Sequence, residues 1–272
     1  VYFVGIDLAW SPRNRSGAAV LSTDGKLPRS TSTLGSDADI TAFVADTLPP
    51  GTAGLVAIDA PLAVPNQSGG RACDRQVASV FGRFQAAPYP VNRRNLARYG
   101  GLRGETITQQ LRSLGFRLDP NIAQKVTARQ VVEVFPHPAT VSLFDLDRTL
   151  KYKARAGRDY PLRWSELTRL RHCLAALAGA EPSLCLTPDI AEMRIEGRKG
   201  RAFKEAEDLL DAVICAYSVL YAWYHGPRGY AVYGNASDGH ILVPLTPAMR
   251  GRIKLQSSAA PISLSEGRSM AA

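Results

Sequence analysis

A chain of 272 residues with 45 % hydrophobic content has room for one sizeable core, or for one domain carrying a long insertion. Thirty-three Lys and Arg against 24 Asp and Glu give a net charge of +9, which favours an anionic partner: nucleic acid, a phosphorylated small molecule or a membrane surface. The four cysteines, Cys73, Cys173, Cys185 and Cys215, include no Cys-x-x-Cys pair and so argue against a zinc site or a disulfide framework. The longest apolar helical stretch, 212–223, falls short of the ~20 residues a bilayer requires. With no basic-then-apolar leader at the start, the expectation is a soluble cytoplasmic protein.

The opening stretch, Tyr-Phe-Val-Gly-Ile-Asp-Leu-Ala-Trp over 2–10, predicts a strand buried on both faces and ending in the carboxylate of Asp7. After a polar turn at 11–16, residues 17–22 predict a second strand, and Asp24-Gly25 a hairpin into a third over 26–34. Ser36 and Asp37 cap a helix that runs to about Leu48, where Pro49-Pro50-Gly51 stops it. Residues 55–59, Leu-Val-Ala-Ile-Asp, form a fourth strand that again ends in an acid. From 61 to 129 no comparable apolar strand occurs. Pro-, Gly- and Arg-rich pieces there surround helices at 72–84 and 105–114, which reads as an insertion. A fifth strand spans 130–135, with Glu133 inside it and Pro136 ending it. Helices follow near 163–178 and at 203–224, and a hairpin joins 230–233 to 240–243 through Asp238-Gly239. From Thr246 the apolar pattern fades, predicting a flexible tail over 246–272.

Asp7, Asp59 and Glu133 thus lie at or near the carboxyl ends of short apolar strands, the edge where side-by-side strands place their sites. Any one of them could be a turn or capping acid; three together point to a shared purpose. A buried carboxylate costs several kcal/mol unless it is paired or bound to a metal. On the late helix Glu207, Asp208 and Asp211 are three and four apart and share one edge. The helix dipole accounts for Glu207 and Asp208 as acids of a first turn, but not for Asp211, deeper in and beside apolar residues. Divalent Mg²⁺ or Mn²⁺ prefers oxygen ligands, and two such ions ~4 Å apart can activate a water and stabilise the leaving oxygen of a phosphodiester.

These motifs resemble the ribonuclease H-like superfamily: Gly5-Ile6-Asp7 on a first strand, an acid ending the fourth, and Asp208-x-x-Asp211-Ala on a late helix. Within it the pattern looks like the RuvC-type Holliday-junction resolvases. More closely it resembles the domain of unknown function 429 family, described as predicted nucleases of ribonuclease H fold. Ile58-Asp59-Ala60-Pro61-Leu62, Arg71-Ala72-Cys73-Asp74, Val132-Glu133-Val134, Tyr152-Lys153, Leu210-Asp211-Ala212 and Asp238-Gly239 carry the likeness across most of 2–243. It departs at Phe135-Pro136-His137, where many members have His-Pro-Glu.

The resemblance implies an α/β fold: a ribonuclease H-like domain over 1–245, its mixed central sheet flanked by helices and its insertion lying over the carboxylate edge. It implies a nuclease using two Mg²⁺ or Mn²⁺ ions, bridged by Asp7 and completed by Asp59 and Asp211, with Glu133 or Asp208 as the accessory acid. Lys153 would stabilise charge at the reacting phosphate, unless it is one more exposed lysine. Arg93, Arg94, Arg98 and Arg103, with Tyr89 and Tyr99, suit phosphate contact and base stacking, or form a solvated loop. Arg71 could line the site or pair internally with Asp74. Lys151, Arg155 and Arg158 form a second basic cluster beside Lys153. Two alternatives stand: a non-catalytic nucleic-acid binder of the same fold, and a nucleotide-binding phosphotransferase of the actin and sugar-kinase type. Against the latter, Leu8-Ala9-Trp10 follows Asp7 where a glycine-rich phosphate turn would be needed.

Overall fold

The computed structural model describes residues 1–257. Strands β1 (Tyr2–Asp7), β2 (Ser16–Ser22) and β3 (Arg29–Leu34) form an antiparallel meander. Helix α1 (Asp37–Thr47) opens on a capping box, in which Ser36 and Asp39 bond each other's backbone N–H, and leads to β4 (Gly54–Asp59). The segment beyond holds α2 (Ala72–Phe81), α3 (Arg93–Ala97), α4 (Arg103–Ser113) and the two-residue β5 (Arg117–Leu118), and ends at β6 (Arg129–Glu133). Then come α5 (Pro136–Leu143), α6 (Tyr160–Ala176), α7 (Pro188–Ala191) and the long α8 (Gly200–His225). The hairpin β7 (Tyr230–Asn235) and β8 (Gly239–Pro244) and helix α9 (Pro247–Ser257) complete the described chain.

The central sheet runs β3-β2-β1-β4-β6-β5; β1, β4, β6 and β5 are mutually parallel. Period-two alternation assigns its two faces. Val4, Ile6, Val56, Ile58 and Val131 pack with Ile40, Phe43 and Val44 of α1 and Ile107 and Leu111 of α4. Phe3, Leu55, Ala57, Val132 and Val134 pack with α8 on the other face. Strands β1 and β4, covered on both sides, are apolar up to the acid that ends each, as central parallel strands in a layered α/β protein are.

Helix α8 is the central element. Its apolar residues Leu210, Val213, Ile214, Tyr217, Leu220 and Tyr221 are buried as the spacing predicts, but so is nearly every residue from Ala206 to Trp223, because α5, α6 and β8 cover its outer side. It lies unusually close to the sheet at two glycines. A Cβ on Gly5 would fall 2.1 Å from the Ala212 carbonyl oxygen, and one on Gly17 would fall 2.2 Å from that of Asp208.

The expected tail over 246–272 is corrected in its first part. Residues Pro247–Ser257 are helical, Met249 is buried, Arg250 donates to the carbonyls of Arg228 and Tyr230, and Arg252 pairs with Asp145 and Asp147. The remaining residues, 258–272, lie outside the described residues. Among the described residues no helix is long and apolar enough to cross a membrane.

Candidate active site

Strand pairing brings the first two acids together. Asp7 and Asp59 are direct partners across the β1–β4 ladder, so both carboxylates leave the sheet on the face that α8 covers. Over them α8 lowers Glu207, Asp208 and Asp211, all buried. Glu207 and Asp208 are more than a turn inside a helix that begins at Gly200, so the first-turn dipole does not account for them.

The loop between α5 and α6 supplies the counter-charge. The Lys153 ammonium contacts Asp211, stands 3.3 Å from Glu207 Oε1 and 3.8 Å from Asp7 Oδ2. Tyr152, fully buried beside it, donates its hydroxyl to Asp211 Oδ1 at 2.7 Å. Lys204, one turn before Asp208 on the same helix, contacts Asp208 and lies 3.0 Å from Glu207, and Arg163 stands 3.8 Å from Glu207 Oε2.

These contacts decide the protonation pattern. Burial opposes ionisation of Asp7, but Lys153 and then Lys204 overcome it and hold its pKa below the usual carboxylate value. Burial and the neighbouring Asp7 charge raise Asp59 well above its ordinary value and Asp208 to about 9. Asp208 therefore keeps a proton at neutral pH and hydrogen-bonds the ionised Asp7. Burial lifts Asp211 to about 6; Lys153 limits the rise and Asp7 adds to it.

Oxygens of this kind suit a hard divalent cation. Asp7 Oδ2, Asp211 Oδ2 and Glu207 Oε2 are buried and face cations: Lys153 contacts Asp211 Oδ2 and stands 3.8 Å from Asp7 Oδ2, and Arg163 is 3.8 Å from Glu207 Oε2. Among the described residues no three acid, His or Cys side chains already converge at coordination distance, and the Lys153 ammonium lies between the carboxylates. The donors suit Mg²⁺ or Mn²⁺ in kind, all being carboxylate oxygens, but as arranged they share the Lys153 ammonium and are not gathered at coordination distance. Asp7, Asp59, Asp208 and Asp211 are the side chains that would hold the metal.

A family model described as a protein of unknown function (DUF429) matches residues 5–236, a span that contains every acid just described. The chain belongs to the DUF429 family. Comparison with curated proteins and with solved structures finds no match.

Three of the expected site residues in this DUF429 chain sit elsewhere. Glu133 pairs in register with Ile58, not Asp59, so its side chain emerges on the opposite face of the sheet. There it accepts two bonds from the Arg71 guanidinium, at 2.8 and 2.6 Å, and one from the Leu62 backbone N–H. All five N–H donors of Arg71 are used, on Glu133, Asp74 and the Ala63 carbonyl, so Arg71 has none left for a phosphate. Arg103 is buried too, holding Asp37 and the carbonyls of Ala9 and Gly35.

The rest of the expected binding stretch divides. Arg93 is held by Glu105 and the Val64 carbonyl, whereas Arg94 and Arg98 are exposed. The second basic cluster is open in part. Arg148 and Arg155 are exposed, and burial plus mutual repulsion among Arg148, Lys151, Arg155 and Arg158 lowers the pKa of Lys151 and Arg158. Sequence reasoning set aside Glu207 and missed Tyr152 as a site residue. The four-residue step from Glu207 to Asp211 and the position of Tyr152 next to Lys153 were the signals available.

Proposed function

We propose that this chain is a divalent-metal-dependent phosphodiesterase acting on nucleic acid, built on a ribonuclease H-like core. The carrying observation is the meeting of Asp7, Asp59, Asp208 and Asp211, drawn from β1, β4 and α8, in one cluster of acids at the carboxyl edge of the sheet. The antiparallel meander followed by parallel strands reached through helical crossovers supports the fold assignment. The mutually repelling cluster of Arg148, Lys151, Arg155 and Arg158 supports the anionic substrate.

When bound, Mg²⁺ or Mn²⁺ supplies Lewis-acid polarisation of phosphoryl oxygens and acidifies a coordinated water. The protein's own residues do the rest. Asp7, held ionised by Lys153, is the standing anion of the site, and Asp211 is oriented by the Tyr152 hydroxyl. Lys153, whose side chain is 26 % exposed, sets its ammonium among the carboxylates, where it would meet a phosphate drawn to them. Arg155 and Arg158 would hold the flanking backbone, so that positioning and charge stabilisation lower the barrier.

A Mg²⁺ and Mn²⁺ titration against labelled DNA, RNA, hybrid and branched substrates tests the reading beside Asp7→Asn. Metal-dependent cleavage that the variant loses supports it, and equal background cleavage by both proteins overturns it. The position of Lys153 among the acids favours one second reading, a nucleic-acid binder that needs no metal. That protein would show salt-dependent affinity unchanged by chelator.

A further inference from the structure

A groove of about 480 Å³, its open mouth included, runs beside Asp59 at the carboxyl edge of the sheet. Trp10, Pro88, Tyr89 and Phe135 line it, with Arg71 at its back. Trp10 and Tyr89 are 46 % and 68 % exposed, although aromatic side chains of this size are normally largely covered. Trp10 is not loose, because Tyr99 meets its ring edge-on at 5.2 Å.

The walls select against a phosphate and for a flat neutral ring. The guanidinium at the back, that of Arg71, has every N–H engaged by Asp74, Glu133 and a carbonyl, so it offers a phosphate no donor, and the carboxyl groups of Asp59, Asp74 and Glu133 line the same wall. The basic cluster lies outside, where Arg158 is within electrostatic reach of Tyr89. Backbone phosphates are thus attracted to the rim, while the acid-bearing back wall repels them and the aromatic and proline sides offer a flat apolar face. A sugar separates a base from its own phosphate, so a base in this groove leaves that phosphate near Asp7 and Asp59.

We infer that the groove is a subsite for one unstacked nucleobase, and that the substrate is single-stranded or locally unpaired nucleic acid. A base within a duplex cannot enter without leaving its stack. Successive stacking on exposed aromatics, beside a basic track, is how proteins grip unpaired strands. The inference deepens the phosphodiesterase reading and rests on it for the place of the phosphate.

Trp10 provides the measurement, since Trp164 is half-buried and Trp223 is 9 % exposed. Single-stranded oligonucleotides quench the fluorescence of the full chain, the matching duplex does not, and Trp10→Phe removes the response. Tyr89→Ala, at a site too exposed to disturb folding, weakens single-strand affinity roughly 5- to 100-fold. Equal quenching by duplex and single strand, or unchanged affinity in both Trp10→Ala and Tyr89→Ala, overturns the subsite. The two readings fail separately. Metal-dependent cleavage at the same rate on paired and unpaired substrates removes the subsite and keeps the phosphodiesterase. Selective quenching without cleavage of any substrate removes the phosphodiesterase and keeps the subsite.

Discussion

Gly5 fixes how near α8 approaches β1, and so where the helix acids stand over Asp7. An added Cβ would sit 2.1 Å from the Ala212 oxygen and 2.2 Å from the Ala216 nitrogen, both backbone atoms, where ordinary contact begins at 3.4 Å. Gly5→Ala therefore drives α8 back by about 1.3 Å, the difference between 3.4 and 2.1 Å. Overpacking of this kind costs about 1–3 kcal/mol. The restricted unfolded chain returns about 0.4–1 kcal/mol, because Gly5 is ordinary strand backbone that alanine adopts freely. The net loss is about 1–2 kcal/mol. Its functional effect is larger, since Asp208 and Asp211 move with the helix, and a displacement near 1 Å lowers a positioned reaction by on the order of 100-fold. Urea unfolding and metal-dependent cleavage, measured on the same preparation, read the two effects. Gly179→Ala is the control, with nothing within 4 Å of its added Cβ. Native stability together with unchanged metal dependence in Gly5→Ala would refute the close seating of α8 on the sheet.

Lys153→Met leaves the carboxylates without their shared cation and lowers stability by roughly 3 kcal/mol in chelator. Millimolar Mg²⁺ or Mn²⁺ should raise its Tm more than that of the parent, which differential scanning calorimetry reads directly. Glu133→Gln unpairs part of the buried Arg71 cluster and costs about 3 kcal/mol, yet changes metal affinity only slightly by titration calorimetry, because Glu133 leaves the other face of the sheet and reaches the site only through its charge on Asp59. His240 accepts the Glu133 backbone N–H on Nε2, and burial together with Arg71 lowers its pKa to about 4. The unfolded chain therefore takes up the proton first. The stabilisation, about 3 kcal/mol, is complete above pH ~6.5 and is lost as the pH falls through ~4; His240→Gln should flatten that limb of the urea-midpoint profile.

Much of the fold could be read because single elements carry their own signals. The first and fourth strands are uninterrupted apolar runs, the first helix has its capping box, and the last hairpin has Asp238-Gly239 at its turn. Register could not be read, since it is a relation between two strands. Had β6 paired one residue further along, Glu133 would stand beside Asp59; instead Ile58 faces it, and one step reverses the side. Helix α5, bracketed by Pro136 and Pro138, gave no helical period that marks it out, and its prolines fit only because they occupy the first turn. Of the two readings open for Arg71, the internal pair with Asp74 holds, while Arg103, expected to contact phosphate, is buried; both depend on carboxylates or carbonyls distant in sequence.

The acid site was legible in its residues but not in its charge balance, and the balance bears on the metal. Asp7, Asp59, Glu207, Asp208 and Asp211 face Lys153, Lys204 and Arg163, five carboxyl groups against three cations. The difference of two negative charges is met by protons on Asp59 and Asp208, the two acids whose pKa values are raised most. A divalent cation carries the same two charges. Its uptake should therefore exchange for protons, and affinity should rise with pH from about 6, where Asp211 ionises, toward about 9, where Asp208 does. Calorimetry in buffers of different ionisation enthalpy counts the protons released at pH 7. Release near two supports the exchange, while metal binding with no proton release would mean that the ion sits away from these acids.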